Sequence, residues 1–173
     1  MEAPQNPAGE FTPEVNYSVE RRSEFIAVIE NGPAAMRKAV EGLSKDQLDT
    51  RYRNWTIRQI VHHITDSHIN SYVRFKWALT EDLPTIKAYD DGAWAALEDS
   101  RSGNIRFPLD LLEALHARWV QLLCTMTDEQ FARSFVHPAT GQTVSLSAAL
   151  CYYAWHCRHH TAQITWLRQQ RGW

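Results

Sequence analysis

Near the C-terminus two histidines stand four residues apart, His156 and His160, in the stretch Cys151-Tyr-Tyr-Ala-Trp-His156-Cys-Arg-His159-His160-Thr-Ala-Gln. Four residues is about one turn of α-helix, so both imidazoles project from one face and can share a metal ion. A second histidine-rich stretch, His62-His63-Ile-Thr-Asp66-Ser-His68, lies roughly ninety residues earlier. Two imidazoles on one helix and a third from a distant helix are a common recipe for an open metal site. A chain that uses these residues together must lay two remote helices side by side, as a helical bundle does.

The rest of the pattern agrees with a bundle. From Ser18 apolar residues recur at helical spacing: Phe25, Ile26, Val28 and Ile29, then Met36, Ala39, Val40 and Leu43. Asn31-Gly32-Pro33 interrupts this run, and predicts a kinked helix or two helices meeting there. Thr56-Ile-Arg-Gln59 is a capping box that opens a helix from Ile57 to about Leu79. Glu81-Asp-Leu-Pro84 ends it. A loop follows, containing Tyr89-Asp-Asp-Gly92 and a short helix around 93–98. Pro108 suits the first position of a third long helix, running to about Met126 with Leu111, Leu112, Leu115, Trp119, Leu122 and Leu123 inward. Thr127-Asp-Glu-Gln130 is another capping box, for a helix of one or two turns. Residues 135–144 read as two extended pieces around a turn, and Ser145 caps a last helix from Leu146 to about Gln170. Residues 1–17 carry Pro4, Pro7 and Pro13 and should form an extended arm. The expected fold is all-α: a four-helix bundle in one domain, 1–173, with short extra helices and a small hairpin-like turn before the last helix. The long second and third connections favour a crossover topology.

Composition bounds the function. With 173 residues one domain can bury a proper core. A net charge of -2 offers no case for nucleic acid or an acidic membrane surface. No apolar run is long enough to span a bilayer. The first residues lack the pattern of a signal peptide, and Cys124, Cys151 and Cys157 form no disulfide framework, so a reducing cytoplasm is expected. Cys157 reads as a small buried hydrophobe rather than a ligand.

Periodicity prefers some histidines. On the last helix His160 falls at the edge of the apolar stripe of Leu146, Leu150, Tyr153, Cys157 and Ile164, His156 lies beside it, and His159 points further out. On the earlier helix His68 sits in the middle of the stripe of Ile57, Ile60, Val61, Ile64 and Phe75. His62 and His63 occupy opposite shoulders, and His63 shares its shoulder with Ser67, Asn70 and Arg74. The pattern narrowly favours His68 as the third ligand without deciding among the three. His116 and His137 have no partner at metal spacing and read as structural.

Trp55-Thr-Ile-Arg-Gln-Ile-Val-His62-His63-Ile-Thr-Asp-Ser-His68 closely resembles the second long helix of the DinB/YfiT-like family, YfiT branch. Leu115-His116-Ala-Arg118-Trp119, Phe135-x-His137-Pro138 and Trp155-His156…His159-His160 match the same branch. The resemblance runs from Gly9 to Trp173. It implies a divalent ion at one end of a four-helix bundle, with His63, His156 and His160 as ligands and His62, His68 and His159 as neighbours. It also implies a homodimer, for which the arm and the surface near Trp166 and Trp173 are candidate contacts.

Three imidazoles leave ion positions open for water or substrate, and such a site lowers the pKa of bound water towards neutrality. Imidazoles suit zinc or nickel, with copper or iron also compatible. Asp66, one turn from His63, is a candidate acceptor for its second nitrogen and a weak candidate for a catalytic role. Cys157 stands where a zinc peptidase has its glutamate, which disfavours that mechanism. Arg74, Arg118 and Arg158 are candidates to orient an anionic substrate. The resemblance implies a metal-dependent hydrolase acting on a small molecule. One alternative is an S-transferase using a low-molecular-weight thiol on electrophilic small molecules. Another is a metal-binding stress protein without turnover.

Overall fold

The computed structural model describes residues 2–14 and 16–173. Its elements run α1 (Val19–Val40), α2 (Lys45–Leu48), β1 (Arg51–Tyr52), β2 (Trp55–Thr56), α3 (Ile57–Thr80), α4 (Asp91–Ala95), α5 (Glu98–Ser102), α6 (Arg106–Thr125), α7 (Asp128–Ala132), β3 (Ser134–His137), β4 (Gln142–Ser145) and α8 (Leu146–Arg171). The long helices α1, α3, α6 and α8 form the bundle. Both α1 and α3 pack against α6 and α8, so the order around the bundle is α1, α8, α3, α6. The first and third connections between long helices therefore cross a diagonal, whereas the second joins neighbours. The expected crossover is present, but not at the second connection.

The helix starts follow local chemistry. Thr56 Oγ1 accepts from Gln59 N while Gln59 Oε1 accepts from Thr56 N, at 3.2 and 2.9 Å, so the capping box at α3 is closed. The box at Thr127 is closed in the same way, and Ser145 Oγ caps α8 by accepting from Ala148 N. Gly172 ends α8 with φ of 70°, the left-handed conformation glycine tolerates. Three expectations are corrected. The single short helix expected around 93–98 is two separate turns, α4 and α5, with Leu97 in extended backbone between them. Pro108 is the third residue of α6, because Asn104 Oδ1 accepts from Arg106 N and starts the turn earlier. Leu111 points to solvent, with Leu112 one step on taking the inward position.

The core divides in two. One cluster includes Phe25, Ile29, Phe75, Trp119, Phe131 and Leu150; the other includes Met36, Ile57, Ile60, Ile64, Leu112 and Ile164. Every long helix crosses from one cluster to the other. At the crossing level α1 presents Gly32, α3 His68, α6 His116, and α8 His156 and His160. The resemblance placed the site at one end of the bundle; here apolar clusters lie on both sides of it.

Helix α1 continues through Asn31-Gly32-Pro33 as one helix, settling the choice between one helix and two. Gly32 is where it approaches its neighbours: a Cβ there would lie 3.0 Å from Cys157 Sγ and 3.3 Å from His116 Cε1.

Residues 2–14 lie on the chain's own helix α8 rather than projecting; positions 1 and 15 of the expected arm fall outside the described residues. Trp155 Nε1 donates to Gly9 O at 3.0 Å, Tyr52 Oη donates to Pro4 O, and Phe11 packs edge-on to Tyr152. Trp166 and Trp173 are half-buried against the second cluster, Trp166 edge-on to Tyr52. No helix is long and apolar enough to cross a membrane.

The close approach at Gly32 predicts overpacking. Gly32→Val should lower unfolding stability by about 1–3 kcal/mol, despite the better helix propensity of valine. A urea midpoint equal to or above that of the parent chain would show that the α1–α8 contact is looser than described.

Candidate metal centre

His63, His156 and His160 are brought together. Their ligand nitrogens all lie within 4.8 Å of one another, and all three rings are buried. His156 Nε2 and His160 Nε2 face each other at 3.1 Å. His63 comes from the shoulder of α3, with its ring over the Trp55 indole at 4.3 Å and 4.8 Å from the His160 ring. It makes no hydrogen bond to the described residues, so it is the ring freest to turn.

Hydrogen bonds define which nitrogen of each ring carries its hydrogen. The sequence begins on α1. Pro33 has no N–H, so the Ile29 carbonyl, four residues back, has no helical donor. His116 Nδ1 takes that carbonyl at 2.5 Å. A carbonyl only accepts, so this nitrogen is the donor, and neutral His116 is left with an accepting Nε2. His68 Nδ1 donates to it at 2.8 Å. His68 Nε2 is then the acceptor for His156 Nδ1, at 3.0 Å. The direction is passed from ring to ring, and it leaves a lone pair on His156 Nε2.

His160 reaches the same state by a shorter route. Its Nδ1 donates to Gln163 Oε1 at 2.8 Å, and Gln163 Nε2 donates in turn to His159 Nε2 at 2.9 Å. The Nε2 of His160 is therefore unprotonated as well. Two lone pairs face each other across 3.1 Å with no hydrogen between them. A proton in the gap would leave an imidazolium there, which burial opposes. Burial holds His156 and His160 well below their ordinary value, with neighbouring imidazoles adding to the effect, and brings His63 to about 4. A divalent cation answers both lone pairs, and the spacing suits nitrogens each about 2.0–2.1 Å from one ion. The donor set fits a metal.

A second group, His68, His116 and Cys157, is equally close-packed but differs chemically. The ring nitrogens of His68 and His116 are already engaged, and burial pushes the Cys157 thiol up to about 12. It offers hydrogen bonds rather than lone pairs.

Two cavities flank the triad. One of about 700 Å³ is walled by Phe11 and Pro13 of the arm, Arg74, Phe135 and His137; the other, of about 610 Å³, by Asn6, Trp55 and Gln163 among others. His63, His156, Tyr152 and Asp91 line both. Asp91 stands at the start of α4, which is docked on α3 when Gln59 Nε2 donates to Ala95 O at 2.7 Å. Its negative charge favours the protonated form of His63.

The other sequence candidates fall into place. Asp66 makes no hydrogen bond to His63 among the described residues; burial, and then Asp99, raise its carboxyl to about 6. His62 is half-buried outside the triad, and His159 stacks on Trp155. His68, favoured by the apolar stripe, is fully buried in the hydrogen-bonded line behind His156. His116 is that line's second ring, and His137 lines the larger cavity. Arg118 and Arg158 are exposed on the surface, whereas Arg74 is buried. The reading from sequence missed Gln163 and Asp91. Gln163 carried a usable signal, being three and four residues beyond His160 and His159 and so above both on the helix.

Fold and site together define a helical bundle with a histidine cluster able to hold a metal. The chain belongs to the DinB superfamily, whose family model matches residues 28–164. It is 48% identical over 169 residues to YfiT of Bacillus subtilis (strain 168), provisionally named a metal-dependent hydrolase, covering 96% of this chain and 95% of that protein. The solved structure of that YfiT, described as having an unusual four-helix bundle topology, superposes with a TM-score of 0.94 over 97% of each chain. A mycothiol-dependent maleylpyruvate isomerase shares the fold alone, at 16% identity and a TM-score of 0.55, over 83% of this chain and 60% of its own.

The buried line of imidazoles makes folding sensitive to acid. Burial holds His116 at about 4, against an ordinary 6.5, although the Ile29 carbonyl opposes that shift. Above pH 6.5 the ring is neutral folded and unfolded, and its contribution is complete. As pH falls towards 4 the unfolded chain binds a proton that the folded chain does not, removing on the order of 3 kcal/mol. Chelator-treated protein should show a urea midpoint that falls steadily from pH 7 to pH 5, and less steeply in His116→Gln. A flat profile would mean that the ring titrates as it does in water.

Proposed function

We propose that the chain is a metal-dependent hydrolase acting on small molecules, with one divalent ion held by His63, His156 and His160. The observation that carries this reading is the pair of unprotonated Nε2 atoms of His156 and His160 facing each other at 3.1 Å. His63 stands beside them, and two cavities reach the same point. When bound, such an ion supplies Lewis acidity and lowers the pKa of a water it holds. Imidazole donors suit zinc and nickel, with copper and iron also compatible.

The residues around the triad supply the rest. His156 is aimed by His68, and His160 by Gln163, so the two donor atoms are set before any ion arrives. Asp91 is the carboxylate shared by both cavities beside His63, and we assign it the role of proton acceptor. Cys157 takes no part: its thiol holds its proton and faces Gly32, away from the cavities. The arm, through Phe11 and Pro13, shields the larger cavity from bulk water.

Metal content tests the ligand assignment. Protein purified without a His tag should carry about one divalent ion per chain. His63→Ala and His156→Ala should each lose it. Gln163→Leu should keep the fold and weaken metal affinity about 10–100-fold, as loss of an orienting hydrogen bond does. Metal retained in both alanine variants would overturn the assignment. A screen of small esters and amides with the loaded protein then tests the activity. Turnover without added thiol, reduced at least a hundredfold in Asp91→Asn, is the expected result. Consumption of electrophiles only when a low-molecular-weight thiol is present would replace hydrolase by S-transferase.

A further inference from the structure

Arg74 is a buried cation without an acid. It is 9% exposed, and no carboxylate among the described residues lies within salt-bridge distance of it. Its one protein hydrogen bond is neutral, from Nη1 to Tyr153 Oη at 3.2 Å. Nε is enclosed with no partner among the described residues, and Nη2 makes no hydrogen bond to them. Arg58, the other buried arginine on α3, shows the ordinary arrangement: its Nε meets Asp49 Oδ1 at 2.8 Å and its Nη1 meets Gly103 O at 2.7 Å. A buried guanidinium left unpaired is unfavourable unless something outside the protein completes it.

Arg74 lines the larger cavity, the one that His63 and His156 also line. His137 also lines this cavity, its Nδ1 enclosed without a partner among the described residues. Arg74 lies on the His63 face of α3, eleven residues on and roughly 16 Å along the axis at Cα. Its long side chain leans back towards the N-terminus of the helix, shortening the gap. The lining includes the apolar side chains of Phe11, Phe135, Val144 and Ala149 beside the polar Ser67 and Tyr89.

We propose that Arg74 binds the carboxylate of an elongated, partly aliphatic substrate whose reacting group lies at the His63–His156–His160 cluster. Nη2, which makes no hydrogen bond to the described residues and is not enclosed as Nε is, offers a charged donor to a carboxylate oxygen. The charge count selects carboxylate over phosphate: Arg74 is the only cation lining this cavity, Asp91 is already present, and a dianion would bring a second negative charge with no partner. The substrate role rests on the hydrolase reading, but the anion site itself does not.

The test uses the full chain treated with chelator, so that carboxylate binding to a metal plays no part. Hexanoate and the neutral hexanamide are titrated by calorimetry or ligand-observed NMR. Hexanoate should bind at least tenfold more tightly than hexanamide, and Arg74→Gln should abolish that preference. Arg74→Gln should still take up one metal per chain on reloading. Arg74→Lys, which keeps the charge and loses the fork, should retain part of the preference and carries the test if the glutamine variant does not fold. Equal binding of acid and amide, a preference unchanged in the Arg74 variants, or tighter binding of hexyl phosphate than of hexanoate would overturn the proposal. Protein that binds hexanoate as expected but takes no metal would sink the metal assignment and leave the anion site standing.

Discussion

The geometry of the centre depends on one hydrogen bond far from any candidate ligand, from His116 Nδ1 to the Ile29 carbonyl. That carbonyl is open because Pro33 supplies no N–H. The imidazole fits there because Gly32 leaves room for it. Once His116 donates to α1, the hydrogen on His68 has one place to go, and the hydrogen on His156 follows. Reversing the first bond would reverse all three rings and put a hydrogen on the nitrogen that faces His160. A tripeptide on α1 that contributes no ligand thereby sets the chemical character of a donor atom on α8.

This line also helps to define the bundle. A polar layer between two apolar clusters is unfavourable where its groups lack partners, and here the ring nitrogens of His68 and His116 have them. A shift of α6 against α1 by one turn would strand the Ile29 carbonyl and His116 together, so the layer penalises misalignment as well as marking the site. The layer is closed at α1 and open at α8. At the closed end a carbonyl accepts the last hydrogen. At the open end His156 and His160 present two lone pairs to each other, and only a cation satisfies both without charging a buried ring.

Much of the fold was legible. Thr56, Thr127 and Ser145 announced three helix starts because caps are local chemistry, read within four residues. The pair His156 and His160 was legible for the same reason, since helical geometry relates them directly. The third histidine was not. His68 occupies the middle of the apolar stripe because it faces the polar layer, and burial in a stripe looks the same whether the neighbour is leucine or imidazole. Only the resemblance to a family picked out His63 on the shoulder. Asn31-Gly32-Pro33 left one helix or two undecided, because its purpose lies in contacts with α6 and α8 that no local pattern encodes. The arm was expected to extend or to meet a partner chain. It folds back on the chain because Trp155 and Tyr152 of α8 and Tyr52 of β1 offer it hydrogen bonds and an aromatic surface, all from residues distant in sequence.

The distribution of charge around the centre follows from the same arrangement. Every histidine in the layer is kept neutral by burial, so the interior presents lone pairs and N–H groups but no fixed charge. Asp91 is exposed, at the rim. Arg74 is therefore the one permanent charge that the cavity wall buries, and it sits away from the imidazoles on the same face of α3. A cation near the triad would oppose the binding of a metal ion; placed further along the helix, it acts on the other end of whatever enters. Helix α3 thus carries His63 and Arg74 on one stripe, eleven residues apart. That separation keeps the buried guanidinium off the imidazole cluster, where a fixed positive charge would repel a cation.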